Sequence, residues 1–588
     1  MTQLYIETIP YTEEAIKIFE HKFDLTPKEE RFPIDFPSVY IGESEKENKH
    51  SQQIQREAYV GETNWIVQRT KEHLNGGPND KLNQLKKKGD MSLHIIGHKK
   101  FNKSATLLIE QTFMNYLLGD PKFTGIDDLT NDEVSGLNNG RSNDQPDFFD
   151  REMYETKVFP EIWRELQHRG IVSSLSTVKN SPLFANSPFK NLSSEQLKAK
   201  RVLLDKIEDE VSKNTQSTKV LKVSGAAGTG KTILLSSLFR DLYDNPFTVG
   251  EGNEERKSNL AMLVRHTEQL KIYQQIAKKT NMGNVVFDVP KFISNGEMFD
   301  VVLVDEAHLL WTGNFGRVKG DTWLPDLEAI MKLAKVVVLI YDENQRVSSR
   351  GYLPDKLKQI VDSAESVSLE KQWRIDASEQ TKQYIWNLTH FEKNSLMRPV
   401  QDKNYEIKFF NSTQQMFETI RQKDSEFGLS RLVSTYDWKY SQGSRPQNGD
   451  DYWMIRTSDG LELPWNLQLP EVQKKRNGGV PWQEVSDSIN EIGSNYTIQG
   501  SDLNYVGVIL GPSVIWDETN NSLGIDSTKS MDPEATMKPS AAKEWSNKDV
   551  VDNLKNIVNV LMTRGVHGLY IYAEDSKLRQ KLMELSIK

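Results

Sequence analysis

The stretch Lys222-Val-Ser-Gly225-Ala226-Ala227-Gly228-Thr229-Gly230-Lys231-Thr232-Ile-Leu-Leu235 decides the fold. An apolar strand-like run leads into it and a helical pattern, ILLSSLF, leaves it. Strand, glycine-rich loop and helix in that order form a phosphate-binding loop, with every required position filled. Glycines let the backbone N–H groups wrap a phosphate without a Cβ in the way. Residues Gly225 through Thr232 are therefore the expected nucleotide cradle. Lys231 would reach the β- and γ-phosphates of ATP, Thr232 would ligate Mg²⁺, and the helix N-terminus adds partial positive charge.

Working outward, the 588 residues allow three or four domains of ordinary soluble composition, 37% hydrophobic and 27% charged. The net charge of −9 rules out a basic whole-molecule field, so affinity for nucleic acid has to come from local grooves. Without a cysteine, disulfides, thiolate zinc sites and cysteine nucleophiles are excluded, and a reducing cytoplasm is the expected setting. The first residues, MTQLYIETIPYTEEAIKIFEH, have neither the basic nor the apolar region of a signal peptide. The apolar runs are strand-sized, so no membrane partner is expected.

Downstream of the loop, VVLV ends in Asp305-Glu306-Ala307-His308 after an interval that accommodates two βα units. Asp305 at a strand end would hold Mg²⁺, and Glu306 would polarise the hydrolytic water. A further strand, AKVVVLIY, ends in Asp342 and Gln345, where a polar side chain can sense the γ-phosphate. Gln372 and Arg374 follow in SLEKQWRID, and Arg564 in VLMTRG; the two arginines are candidate fingers for the γ-phosphate. Gln196, in the capping-box pattern SSEQ, is a candidate adenine contact. Between Ser434 and Glu491 lies an insertion whose Trp438, Trp453 and Trp465 either stack on bases or form a small β-hairpin core; the core is the favoured alternative.

The succession GxxxxGKT, DEAH, a Gln-bearing strand end, QWR, TIQGSDLNYVGVILG and VLMTRGVHGLYIY resembles helicase superfamily 1, and in detail the schlafen-like DNA/RNA helicases of bacteria. The N-terminal residues resemble another family, the GIY-YIG nucleases, in the ordered set Ser38-Val39-Tyr40, Tyr59-Val60-Gly61, Arg69, Glu110 and Asn138/Asn139. The first triplet departs from that pattern, with Ser for Gly and Val for Ile, and the long interval to Tyr59 implies an inserted loop. The resemblance implies Glu110 as the metal ligand (Mg²⁺, with Mn²⁺ an option), Arg69 as stabiliser of charge on the phosphorane, and Tyr40 or Tyr59 as activator of water. The alternative is a structural α/β domain with ordinary Tyr, Arg and Glu.

The expected architecture is α/β: a GIY-YIG-like domain over 1–168, a linker over 169–198, and two RecA-like lobes, 199–348 and 349–588. The expected function is an ATP-dependent nuclease–helicase acting on nucleic acid, DNA rather than RNA, with antiviral defence implied by family analogy. Two alternatives stay open: an ATP-gated RNase or DNA repair nuclease that never unwinds, and a non-catalytic nucleic-acid-binding ATPase.

Overall fold

The computed structural model describes residues 3–586 except 48–53, 78–79, 129–147, 180, 214–216, 226–227, 251–255, 313–315, 318–322, 343–345, 373, 442, 478–479, 499–501, 540–541 and 543–544. The fold is mixed α/β. By internal contact density the chain forms two compact units. One comprises Met1–Leu204, Thr232–Leu260 and Ile272–Val286; the other comprises Asp205–Lys231, Ala261–Lys271 and Phe287–Lys588. The dividing line crosses the chain between Lys231 and Thr232. Among the described residues no helix is long and apolar enough to cross a membrane.

The first unit is built on a five-stranded sheet of β1 (Leu4–Pro10), β2 (Ser38–Glu47), β3 (Ile54–Thr63), β4 (Asp90–His98) and β5 (Phe123–Asp128), in the order β1-β4-β2-β3-β5. β2 and β3 pair antiparallel with Tyr40 opposite Gly61 and Gly42 opposite Tyr59, which sets both tyrosines on one face. That face packs with Ile16, Phe19, Ile66, Leu82, Leu93 and Ile95. The composition of ENKHSQQIQRE, residues 47–57, predicts a polar loop; residues 48–53 lie outside the described residues. β3 begins at Ile54 and pairs Gln55, Arg56 and Glu57 with Lys46, Glu45 and Ser44 of β2. Helix α1 (Ile66–Asn75) follows β3, and α2 (Lys103–Gly119), capped by the Asn102 side chain accepting the Ala105 N–H, carries Glu110 at its middle. A helix the sequence reading passed over, Glu13–His21, is capped in the same way by Thr12.

Ahead of the phosphate loop, α3 (Ser194–Ser212) starts with the capping box that SSEQ predicts. The Ser193 N–H donates to Gln196 Oε1, and the Gln196 N–H donates to Ser193 Oγ. The buried Gln196 side chain thus serves its own helix.

The second unit holds two parallel-sheet, RecA-like lobes. In the first, β6 (Lys219–Gly225), β7 (Leu260–Val264), β8 (Val286–Asp288), β9 (Phe299–Asp305), β10 (Ala334–Ile340) and β11 (Glu365–Leu369) lie in the order β8-β7-β9-β10-β6-β11. β9, β10, β6 and β11 pair in parallel. Val302, Val304, Val337 and Leu339 are buried among residues of this lobe, so β9 and β10 read as unbroken apolar runs, as strands covered on both faces must. Helix α4 (Lys231–Asp244) leaves the loop after β6 and belongs to the first unit from Thr232 onward; α5 (Thr267–Lys279) follows β7 and belongs to it from Ile272.

The second lobe is a four-stranded sheet of β12 (Glu406–Phe409), β13 (Ser430–Ser434), β14 (Leu503–Leu510) and β15 (Gly565–Ala573), in the order β12-β15-β14-β13 and parallel throughout. Helix α6 (Asn547–Met562), opened by a Ser546/Asp549 capping box, ends just before β15. The tryptophan-rich insertion contains a short hairpin, Met454–Arg456 with Glu462–Pro464. Trp465 is fully buried, and the Trp438 and Trp453 indoles donate to the Arg456 and Ser444 carbonyls. The hairpin-core alternative fits this arrangement.

Candidate functional site

The loop after β6 keeps the geometry that its glycines predict. Gly225, Gly228 and Gly230 have φ of 155°, 82° and 82°. At Gly228 a Cβ would stand 2.7 Å from Arg374 Cβ and 2.9 Å from Gln372 Nε2, so only glycine fits between the loop and the QWR segment. The Arg374 N–H donates to the Gly228 carbonyl at 3.3 Å. Thr229 is buried, and Thr232 stands at the second position of α4. Ala226, Ala227 and Gln345, together with Asn138 and Asn139, lie outside the described residues.

Lys231 is buried. Its Nζ donates to the Gly225 carbonyl at 2.5 Å and pairs with Asp342 Oδ2 at 3.0 Å. β10 explains that partner: it lies between β6 and β9, so the residue at its end, Asp342, comes to the loop lysine. Asp305 closes β9 with its carboxylate buried and accepts the Glu306 N–H at 3.0 Å. Glu306 adopts the left-handed region at φ 47°, an uncommon conformation for a residue with a Cβ, at the point where β9 turns away. Its Oε2 lies 3.4 Å from His308 Nε2. Burial holds the His308 pKa below its ordinary range, outweighing the attraction of Glu306 and Asp342, so the imidazole is neutral at pH 7.

Two arginines complete this cluster. Arg564 sits between α6 and β15, fully buried, with Nε donating to the Val560 carbonyl one turn back at 2.9 Å. Its guanidinium pKa is pulled down to about 10, first by burial and then by the charge of Arg374; Asp502, Glu306 and Asp342 pull the other way. Arg374 Nε pairs with Asp502 at 2.5 Å, while its Nη1 is buried without a hydrogen-bond partner. Two guanidiniums that repel one another, one of them with an unused donor, beside the glycine loop are suited to an anionic group. The donor set fits a Mg²⁺-bound nucleoside triphosphate. Asp502 escaped the sequence reading, because only the fold brings its loop to Arg374 from more than a hundred residues away.

A second cluster lies in the first unit. Tyr40 Oη and His73 Nε2 are 3.1 Å apart, and His73 Nδ1 lies 2.7 Å from Asp80 Oδ2. Tyr40, Tyr59 and His73 are all buried, their rings in edge or tilted contact. Arg69 on α1 and the half-buried Glu110 on α2 act electrostatically on both tyrosines. Burial raises both phenols above their ordinary range, Arg69 pulling against that rise and Glu110 adding to it. They are neutral at pH 7 and suited to orienting water rather than to deprotonating it. Tyr59 Oη is buried without a hydrogen-bond partner. Glycine at position 61 is a steric requirement, since a Cβ there would stand 2.5 Å from Tyr40 Oη. Among the described residues no group of three or more His, Asp or Glu is disposed to hold a metal by itself. Asp80 was not foreseen; its signal was its N-cap position ahead of the helix Lys81–Lys86.

Two parallel-sheet α/β lobes, a glycine-loop lysine, a strand-end Asp-Glu and two converging arginines define a protein of the helicase class. Residues 218–575, well over half of the chain, match the family model described as Schlafen group 3, DNA/RNA helicase domain, and the chain belongs to that family. The uncharacterized protein YPL245W of Saccharomyces cerevisiae (strain ATCC 204508 / S288c) is 31% identical over 433 residues, 68% of this chain and 91% of the yeast protein. That relative is fungal, so the bacterial affiliation expected from the motifs finds no support in these comparisons. The family match begins at residue 218 and carries no information on the N-terminal sheet.

Proposed function

We propose that the chain is an ATP-dependent helicase joined to a metal-dependent phosphodiesterase. The observation that carries the first half is the convergence of Lys231, Glu306, Arg374 and Arg564 on one buried site beside the Gly228 cradle. In this reading Gly225 through Thr232 would hold the triphosphate, Thr232 and Asp305 would hold Mg²⁺, and the bound nucleotide would supply the hydrolysable phosphoanhydride. Glu306 orients and accepts a proton from water. Arg374 and Arg564 neutralise charge on the γ-phosphate, work worth 10³–10⁵ in rate for arginines in such positions. Gln345 is assigned to sensing that phosphate.

The second half rests on the cluster of buried Tyr40, Tyr59 and His73, with Arg69 and Glu110 acting electrostatically on both phenols. We assign it to a GIY-YIG-type nuclease over 1–168, followed by a linker and two lobes; the pairing of β11 with β6 moves their boundary past Leu369, beyond the 348 expected from the sequence. Glu110 would hold Mg²⁺ or Mn²⁺ with substrate phosphate and waters completing its shell. Arg69 stabilises the phosphorane, and the neutral tyrosines orient the attacking water. The substrate class is nucleic acid, with DNA favoured, and the favoured setting is defence against invading nucleic acid.

The test uses purified full-length protein with 3′- and 5′-tailed labelled duplexes, Mg²⁺, and ATP present or absent. The reading expects ATP-dependent strand displacement and metal-dependent cleavage. Glu110→Ala should remove cleavage and spare ATPase, and Lys231→Ala should remove ATPase. Cleavage that responds to ATP without any displacement would replace the helicase with a nucleotide-gated nuclease. Cleavage by Glu110→Ala at the wild-type rate would refute the nuclease assignment.

A further inference from the structure

The Glu110 helix ends on an amine that comes from the helicase part of the chain. Lys279, the last residue of α5, directs Nζ at two carbonyls at the end of α2: Leu118 at 3.0 Å and Asp120 at 3.2 Å. The Asp120 carboxylate is fully buried and spoken for, accepting the Ser173 N–H at 2.7 Å and the Ser173 hydroxyl at 2.6 Å. The next residue along from Lys279, Thr280, gives its carbonyl to Arg240 Nη1 at 3.2 Å. Arg240 lies on α4, the helix that opens with Lys231 and Thr232, and is held by Asp244 at 2.5 Å and by the Phe189 ring at 5.5 Å. One residue on, Asp241 pairs at 2.7 Å with Lys200 of α3, both side chains almost wholly buried. Lys200 Nζ also donates to Ser237 Oγ at 3.0 Å.

All of these groups belong to the first compact unit, which includes α4 from Thr232 onward. An unbroken succession of charged and backbone contacts therefore runs from the phosphate-loop helix to the C-terminus of the helix that carries Glu110. Arg240 stands nine residues beyond Lys231, ~13 Å along the helix axis at about 1.5 Å per residue.

A cation is an expensive way to build a purely structural contact. Burial pushes the Lys279 pKa down to about 8, with Asp120 opposing only in part. An apolar side chain of similar length would fill the same space without that cost. What the amine adds is direction: it meets the partial negative charge at the end of α2 and ties it to α5 and, through Thr280, to α4.

We propose that Lys279 is a latch through which the nucleotide state of the helicase lobe gates the Glu110 site. The proposal rests on reading the Tyr40–Arg69–Glu110 cluster as the nuclease. A shift of α4 when the loop after β6 takes up nucleotide is passed by Arg240 to Thr280 and by Lys279 to the end of α2, changing the position of Glu110 against Tyr40 and Tyr59. The latch is a positioning device and takes no part in the chemistry.

The test compares wild type, Lys279→Met and, as a control on the same helix, the exposed Lys278→Met. Cleavage of a labelled single strand is followed with Mg²⁺ alone and with Mg²⁺ plus a slowly hydrolysed ATP analogue. Amide hydrogen exchange of residues 110–120 is followed under the same conditions. The expected result is a several-fold change in cleavage on adding nucleotide in wild type and Lys278→Met. In Lys279→Met that response should be lost while ATPase and nucleotide-free cleavage persist. A nucleotide response that survives in Lys279→Met overturns the latch, as does a wild type that cleaves equally with and without nucleotide. If wild type does not cleave at all, the nuclease reading fails, and exchange still decides the coupling. Nucleotide-dependent protection of 110–120 that disappears in Lys279→Met upholds the connection, and unchanged protection in wild type refutes it.

Discussion

Replacing Arg564 with methionine separates function from stability. The guanidinium is fully buried, and its pKa is pulled down from the ordinary arginine range to about 10 because burial and Arg374 disfavour its charge more than Asp502, Glu306 and Asp342 favour it. The sign of the linkage follows from that depression. At every pH below about 10 the arginine is charged in both folded and unfolded chains, and the folded protein bears the whole penalty. At ~1.4 kcal/mol per tenfold change in proton affinity, the penalty is of the order of 3 kcal/mol, an upper bound that relaxation reduces. Methionine fills much of the same volume without it. Arg564→Met is therefore expected to leave the nucleotide-free protein as stable as wild type or more so, by up to ~3 kcal/mol, a rise of several degrees in the melting midpoint for domains of this size. It should lower ATP turnover by at least ~10³-fold. Stabilisation by added Mg²⁺ and ATP should shrink in the variant, since nucleotide no longer relieves an unbalanced charge. The measurements are thermal melts at pH 7 with and without nucleotide, alongside steady-state ATPase. A nucleotide-free variant that melts well below wild type, or one that hydrolyses ATP at the wild-type rate, would show that Arg564 is a structural residue and that the charge argument is wrong.

The other expectations are quicker to check. Glu306→Gln keeps the left-handed turn and the contact to His308 but cannot accept a proton, so nucleotide binding by calorimetry should stay within a few-fold of wild type while ATPase falls by ~10²-fold or more. Gly228→Ala drives a methyl against Arg374 Cβ at 2.7 Å in a backbone conformation that alanine resists; nucleotide affinity measured by equilibrium binding should drop by at least ~10-fold, at a cost of roughly 1–2 kcal/mol. Gly61→Ala displaces the Tyr40 hydroxyl from His73, and metal-dependent cleavage should be lost with ATPase unchanged. Trp465→Ala removes a fully buried indole from the insertion and should destabilise that region by ~3–5 kcal/mol, seen as earlier proteolysis between residues 434 and 491, with single-strand affinity little altered.

Much of the helicase part is legible residue by residue because its chemistry is local. A phosphate loop needs glycines, lysine and a hydroxyl at fixed offsets between a strand and a helix, and the DEAH run announces itself at the end of an apolar strand. SSEQ likewise states its own capping box, which the hydrogen bonds at Ser193 and Gln196 complete. The partners of those residues are another matter. Asp342 meets Lys231 because β10 is laid between β6 and β9, and strand order is set by how crossovers pack rather than by any spacing in the chain. Asp502 reaches Arg374 from a loop more than a hundred residues away, and Arg564 acquires its depressed pKa only by being buried against a second guanidinium.

In the N-terminal sheet the tyrosine triplets mark two strands, yet their departure from the family pattern leaves their meaning open in the sequence alone. What the antiparallel register adds is placement: Tyr40 opposite Gly61 puts both phenols on one face, where His73, Arg69 and Glu110 arrive from two different helices. The placement of Lys279 at the end of the Glu110 helix has no sequence signal at all, since a lysine closing an amphipathic helix normally faces water. The sequence by itself marked the phosphate loop, the strand-end Asp-Glu and most of the strands and helices around them, because these follow from short-range geometry. Only the tertiary structure decided which charges face one another, because that depends on strand order, register and burial, which link residues far apart in the chain.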